Sequence, residues 1–188
     1  MPAPVETRVA REHWEFAEIH RLNYKTFVDE IPQHAPDGSG VLVDRFDREN
    51  TYIVAVQAGR VVGMVAYRAT RPFSLDQKLE NLSSYLPQGS RFCEIRLLAI
   101  AREARSGYLL REIFQALWEH CAAEGMDGAV ISGTTRQLRL YQRLGFVPFG
   151  PLVGHPGAQF QPMAITRERA AVSMRRLSRR SREGTIRC

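Results

Sequence analysis

The apolar positions of this chain fall into two spacings, and their order predicts most of its elements. Between Glu12 and Phe27, Trp14, Phe16, Ile19, Leu22, Tyr24 and Phe27 recur without Gly or Pro, as the broad apolar face of a helix requires, and Ile31-Pro32 marks its end. The spacing then changes. Thr51–Gln57 and Arg60–Arg68 are β-rich runs separated by Ala58-Gly59, which predicts a hairpin, and Gly63 inside the second run predicts a bulge or a close backbone approach. Arg91–Ile100 reads as a third strand. From Ser106 to Glu124, Leu110, Ile113, Phe114, Leu117, Trp118 and Cys121 return at helical spacing, with Ser106 as N-cap and Gly125 as the stop. Gly128–Ser132 is a short buried strand, and Gly133-Thr134-Thr135 begins a helix reaching Leu144-Gly145. Phe146–Gly150 and Phe160–Thr166 are a last strand pair, Pro148 placing the first near a sheet edge or a bulge.

That order predicts an α/β fold with a mixed sheet and helices on its faces. Ligands of open α/β sheets settle where neighbouring strands diverge, which here is the end of Arg91–Ile100 opposite Val130–Ser132. Arg71–Ser90 stands apart as an insertion of about twenty residues, long for a strand connection and therefore functional or mobile.

Composition narrows the class. A chain of 188 residues, 44% hydrophobic and 24% charged, fits one soluble domain. Cys93, Cys121 and Cys188 have no Cys-x-x-Cys spacing, so neither a disulfide framework nor a metal site is expected, and a reducing cytoplasm is the default location. Neither a signal peptide nor a run of the ~20 apolar residues needed to span a bilayer is visible. The net charge of +6 lies wholly in Arg167–Cys188, where eight arginines face Glu168 and Glu183; Met1–Thr166 is neutral. The expected division is therefore a body, 1–166, and an arginine-rich tail, 167–188, a solvated appendage or fraying helix whose deletion leaves the fold intact. Nucleic-acid affinity would belong to that tail alone.

Three places carry candidate chemistry. Arg102, Arg105, Ser106, Gly107 and Tyr108 lie where a strand enters a helix, and free amides beside arginines attract anions; the plain alternative is that Gly107 turns the chain and the arginines are solvated. Glu94 shares a strand face with Phe92, Arg96, Leu98 and Ile100. A carboxylate among core hydrophobes is a base for an ammonium acceptor or half of an ion pair with Arg96. Tyr141, in Leu140-Tyr141-Gln142-Arg143-Leu144-Gly145-Phe146, is a placed phenol or a core tyrosine. The five histidines form no metal or triad spacing.

The organisation of roughly Tyr52–Thr166 resembles the acyl-donor-binding core of the GNAT superfamily of acyltransferases, with Leu140–Phe146 similar to its Tyr-x-x-x-Gly-Phe signature. The phosphate loop departs from the family pattern, with Ala104 in place of Gln or Arg and Leu109 in place of a small residue. The long insertion, followed by Glu94-Ile95-Arg96, looks like the branch of autoinducer synthases and long-chain N-acyl amino acid synthases, whose spacing is Glu-x-x-Arg. The resemblance implies a GNAT-like mixed, mostly antiparallel central sheet with helices on both faces. It further implies transfer of an acyl group from acyl-CoA or an acyl carrier protein to a primary amine of a small molecule, without a metal. Leu98, Ile100, Arg102, Arg105, Ser106, Gly107 and Tyr108 would bind the donor, Glu94 would accept the amine proton, and Tyr141 would protonate the leaving thiolate. Apolar residues of Arg71–Ser90 would cover an acyl chain longer than acetyl. A long-chain N-acyl amino acid synthase and a non-catalytic acyl-CoA-binding sensor are the alternatives; a homodimer is left open.

Overall fold

Val5, Thr7 and Val9 alternate with Glu6 and Arg8, and this short alternation forms the first strand, β1 (Val5–Val9), a strand that the helical and β-rich runs further on overshadow. The computed structural model describes residues 3–155 and 158–182, with side chains to residue 178. The chain divides into two units, one of residues 3–67 and 97–117, the other of residues 68–96 and 118–179. The eight strands form a mixed, mostly antiparallel sheet, so the α/β class is as expected.

In the first unit β1 pairs antiparallel with β2 (Thr51–Gln57), which turns through Ala58-Gly59 into β3 (Arg60–Arg68). Of the two alternatives for Gly63, the bulge is the one observed. Ala55 lies opposite Gly63 but Val56 opposite Val61, so Val62 is the extra residue of a bulge. A Cβ on Gly63 would meet the tip of the Ile113 side chain, Cδ1, at 2.7 Å, so a larger residue there requires that side chain to shift. Helix α1 (His13–Tyr24) ends three residues before the predicted limit and widens into a π-helical turn, Lys25–Glu30, closed by Ile31 N–H donating to Thr26 O at 2.9 Å. Ile19, Leu22 and Phe27 from this segment pack with Tyr52, Val54 and Met64.

Glu15, fully buried on α1, is the residue that a reading of apolar spacing passes over. Its Oε2 accepts from the amides of Arg11 (2.6 Å) and Glu12 (2.8 Å), and its Oε1 pairs with Arg8. Burial pushes the carboxyl up, but those amides and the Arg8 guanidinium outweigh it and hold it below the ordinary carboxylate range. A depressed folded-state value contributes stability above the unfolded-state value, lost as pH falls through the folded one. Glu15→Gln is therefore expected to cost about 1–3 kcal/mol at pH 7. The gap from wild type should close as urea unfolding is repeated below about pH 4; a gap that persists there contradicts the assignment.

In the second unit the start of β4 (Phe92–Ile100) runs parallel to β5 (Gly128–Thr134), Phe92–Glu94 facing Gly128–Val130. β5 pairs antiparallel along its whole length with β8 (Ala158–Thr166), and β8 also carries the short β6 (Val147–Pro148) and β7 (Val153–His155). β6 ends the strand order, which accounts for Pro148. The β5–β8 ladder holds Gly133 and Thr134 as strand, so the expected helix there starts later: a 3₁₀ turn, Thr135–Gln137, leads to a short α3 (Leu138–Arg143). Helix α2 (Gly107–Ala123) buries Leu109, Ile113, Phe114, Leu117 and Cys121, so Leu109 takes the inward position expected of Leu110.

The segment expected to be a solvated appendage or fraying helix is helical and partly buried. Arg167–Arg182 forms helix α4, in which Ala170, Ser173 and Met174 are buried. Arg167 Nε donates to Met126 O at 2.9 Å and Arg169 Nε to Gly145 O at 2.8 Å, so two of the arginines serve as backbone clamps. Residues 183–188 of the expected tail lie outside the described residues. Met174→Ala is expected to cost about 2–3 kcal/mol, a fall in Tm of roughly 4–12 °C for a chain of this size. An unchanged melting curve would restore the appendage.

Candidate active site

β4 changes character along its length. Its pairing with β5 stops at Glu94, whereas β5 continues to Thr134 against β8. Three residues past Glu94, Leu97 adopts φ 53°, a left-handed conformation that costs a non-glycine residue on the order of 1–3 kcal/mol and recurs where backbone is held for function. Ala99, just beyond, is buried, and Leu98 and Ile100 are half-buried. The backbone amides of Leu98 and Ala99 thus follow a strained residue on a strand released from β5.

In the first unit that strand leads into the expected loop. Arg102–Ala104 forms a 3₁₀ turn, and Ser106 caps α2 by accepting Leu109 N–H on its hydroxyl at 3.1 Å. Leu109 therefore spends its amide on the cap and its side chain on the core, and Gly107 and Tyr108 form the first turn of α2, where a helix's amides have no intrahelical partner. Arg102 is exposed. Arg105 is held, donating from Nε to Ile100 O at 3.1 Å and pairing with Glu30, so it braces the loop on the π-helical turn.

In the second unit Glu94 is fully buried and saturated by the insertion. Oε1 accepts the Ser74 hydroxyl (2.7 Å) and the Leu75 amide (2.9 Å), Oε2 accepts the Ser74 amide (2.8 Å), and Arg96 Nε stands 3.6 Å from Oε2. Arg71–Ser90 is accordingly an ordered cover fastened to β4. Asp76 reinforces it by pairing with Arg71 and accepting the Phe73 amide at 2.6 Å; burial raises its carboxyl, but Arg71 and that amide hold it below the usual range. Phe73, Leu75, Leu79 and Leu82 are buried against Phe92 and Val130. These four side chains pack the sheet face. Tyr85 and Leu86 instead border a cavity of about 690 Å³ with Phe92, Val147, Ile165 and Val172.

Tyr141 sits on α3 with its ring over β5, where a Cβ at Gly133 would meet Tyr141 Cδ2 at 2.9 Å. A glycine in mid-strand weakens a ladder, and here the missing side chain is what lets the ring lie against the backbone. The phenol donates to Gln137 Oε1 at 3.1 Å, and Phe146 packs edge-on with centroids 6.5 Å apart. Burial pushes the phenol up from its ordinary value, against a smaller opposing effect of Thr134, so it stays protonated at neutral pH.

Spacing arguments missed a polar cluster in the first unit. Asp47 Oδ1 accepts from His20 Nε2 (2.9 Å) and from the Tyr52 hydroxyl (2.8 Å), while Asp44 Oδ1 accepts from Asn50 Nδ2 (3.1 Å) and the Phe46 amide (2.9 Å). The cluster ties Pro32–Asn50 to β2 and α1. The signal was a tyrosine hydroxyl inside an otherwise apolar strand, which must find a partner. Cys93 and Cys121 lie with sulfurs 3.8 Å apart, and their mutual hydrogen bond together with burial pushes the Cys93 thiol up, which makes it a poor nucleophile. Among the described residues no His, Cys, Asp and Glu group could hold a metal, and no helix is long and apolar enough to cross a membrane.

Comparison with solved structures places this chain beside several of similar fold. A CoA-dependent acyl-homoserine lactone synthase, BjaI, with SAM and isopentyl-CoA, is 22% identical, with 94% of this chain and 90% of that one covered at a TM-score of 0.71. FeeM, an N-acyl amino acid synthase from uncultured soil microbes, is 15% identical over 91% and 95%, with a TM-score of 0.72. A putative N-acetyltransferase from Lactobacillus plantarum gives 15%, 86%, 97% and 0.62 in the same order. Comparison with curated proteins returns no match. The family described as N-acyl amino acid synthase FeeM matches residues 18–167, most of the chain and all of the elements that carry the candidate residues. This protein is an acyltransferase of GNAT-like fold, and it belongs to the FeeM family of N-acyl amino acid synthases.

Proposed function

We propose that this acyltransferase moves a fatty acyl group from a pantetheine thioester, carried by CoA or by an acyl carrier protein, to the α-amine of a free amino acid. The family match over residues 18–167 carries the reading. The amine attacks the thioester directly; holding the two reactants together supplies much of the rate without a covalent enzyme intermediate. Arg102 and the amides of Gly107 and Tyr108 take the donor's phosphates, a cradle that Arg105 stiffens from behind. Backbone beyond Leu97, at Leu98 or Ala99, polarises the carbonyl, with Leu98 and Ile100 along the pantetheine arm.

Tyr141 is assigned the general acid, since a buried phenol holds its proton until the thiolate leaves. Glu94 is assigned two tasks. Its Oε1 accepts from the Ser74 hydroxyl and the Leu75 amide and its Oε2 from the Ser74 amide, with Arg96 beside Oε2, so taking the amine proton requires one of these bonds to yield, at Oε2 first.

The test offers palmitoyl-CoA and a palmitoyl carrier protein separately with the twenty amino acids, and follows thiol release together with the mass of the amide. N-palmitoyl amino acid formed in step with thiol is the expected result. Transfer from acetyl-CoA alone, or to S-adenosylmethionine but to no amino acid, would overturn it.

A further inference from the structure

The second unit holds a cavity that none of the residues assigned to acyl transfer lines. It measures about 690 Å³, within the range of small-molecule sites, and its walls come from three places in that unit. Tyr85 and Leu86 stand near the end of the insertion, Phe92, Val147 and Ile165 belong to the sheet, and Val172 is on α4. Tyr85, Val147 and Val172 are 43%, 41% and 37% exposed, so three of the eight large hydrophobics left open to water among the described residues meet at this one place. Apolar residues scattered singly on a surface need no explanation, whereas a group of them around a hollow marks a binding site.

The cavity lies apart from the chemistry proposed for this unit. Its β8 residues, Ala164–Thr166, oppose Gly128–Val130, whereas Tyr141 rests on Gly133, opposite Gln161. The separation along the ladder is roughly 10–17 Å. Glu94 is sealed under Ser74 and Leu75 and forms no part of the wall.

Its polar side is cationic. Arg169, Val172, Ser173 and Arg176 follow one another at i, i+3, i+4 and i+7, so one stripe of α4 faces the cavity, and Arg143 reaches it from the end of α3. Arg169 spends its Nε on Gly145 O, which steadies the guanidinium and leaves its terminal nitrogens to donate. Arg143 and Arg176 are exposed. Against these three arginines stands Glu168, whose carboxylate already accepts from the Thr166 hydroxyl and lies beside Arg167. Apolar walls under a cationic rim match an alkyl chain that ends in a carboxylate.

We infer that this cavity is a second binding site, for an anionic amphiphile: a medium- or long-chain carboxylate whose chain lies against Tyr85, Phe92, Val147 and Val172 and whose head group meets the arginines. Two sources share that chemistry, a free fatty acid and an N-acyl amino acid. Binding is read without turnover, so failure of the proposed function leaves the test of this site intact. A chain seated there also leans on Tyr85 and Leu86, and so steadies the end of the insertion that Glu94 does not fasten.

The test is calorimetric titration of the full chain with hexanoate, octanoate, decanoate, N-decanoylglycine and decanol, each below its micelle concentration. Kd should tighten about three- to fourfold for each methylene added until the cavity is full, and decanol should bind more weakly than decanoate. Val172→Asp, which sets a carboxylate in the apolar wall, should abolish binding of the acids. Arg143→Gln combined with Arg176→Gln should weaken the acids roughly three- to thirtyfold while decanol changes little. Turnover of a palmitoyl thioester is expected at the wild-type rate in both variants. Tighter binding of N-decanoylglycine than of decanoate would name the N-acyl amino acid as the occupant and the reverse the free fatty acid, and either supports the site. Undiminished binding in both variants would place the amphiphile elsewhere in the molecule and overturn the inference, as would an absence of binding by wild type at millimolar decanoate. Loss of turnover in Val172→Asp at an unchanged Tm would make the cavity part of the reaction site and overturn it as a separate one.

Discussion

Glu94→Gln is expected to destabilise the protein by about 3 kcal/mol, because a neutral amide cannot accept what the carboxylate now accepts. Two backbone amides and one hydroxyl point at its oxygens, from 2.7 to 2.9 Å. Glutamine replaces one oxygen with an NH₂ group, so at least one donor meets another donor in a fully buried place. The corresponding fall in Tm is roughly 6–12 °C. Protease cleavage within Arg71–Ser90 should quicken at the same time, since that segment loses its fastening. Glu94→Asp separates the two tasks of the residue: it keeps the charge but shortens the reach, so stability should fall less than rate if Oε2 takes the amine proton. A Glu94→Gln protein that melts like wild type would mean that the insertion is held by its apolar side chains alone. A variant that melts low but turns over at the wild-type rate per folded molecule would remove the proton-accepting task and leave the anchor.

How much of this was legible in the sequence depended on whether one residue or a period carried the signal. Thr51–Gln57, Arg60–Arg68 and the Gly63 bulge were readable because β-branched runs and a glycine within them have few other uses. The helix Gly107–Ala123 followed from its apolar stripe and the Ser106 cap. β1 was not legible, since five residues with two charges resemble a loop until β2 is there to pair with them. Helix α4 was hidden by its arginines. Its inward face consists of Ala170, Ser173 and Met174, too small and too polar to stand out against the charge, although i, i+3 and i+4 is a helical contact pattern. Among the candidate residues, Glu94 was visible as a carboxylate among hydrophobes, but its partners lie about twenty residues away in a segment without periodicity. Glu15 was invisible because a glutamate on a helix is ordinarily solvated.

The largest effect on turnover is expected at Tyr141. Removing the hydroxyl in Tyr141→Phe leaves the ring on Gly133 and against Phe146, so the fold loses the hydroxyl's bonds to Gln137 and Thr134, about 1 kcal/mol each. The rate should fall much further, by roughly 10²–10⁴ in kcat with little change in KM, the range ordinarily lost with a general acid. The role proposed for Tyr141 is to protonate a departing alkyl thiolate, and the need for it would shrink as the thiol becomes more acidic. An acyl thioester of an aromatic thiol, which departs readily without a proton, should therefore be used by Tyr141→Phe at a rate much nearer that of wild type. The alkaline limb of the wild-type kcat profile should lie above the ordinary tyrosine range of about 10, because burial holds the phenol protonated. Gly133→Ala offers an independent check that placement matters: its methyl would stand 2.9 Å from the ring, so the hydroxyl is present but displaced. It should lower kcat, because a hydroxyl moved from its place no longer reaches the departing thiolate in line. Full activity in Tyr141→Phe towards an alkyl thioester would assign the tyrosine to packing and leave the thiolate to be protonated by water.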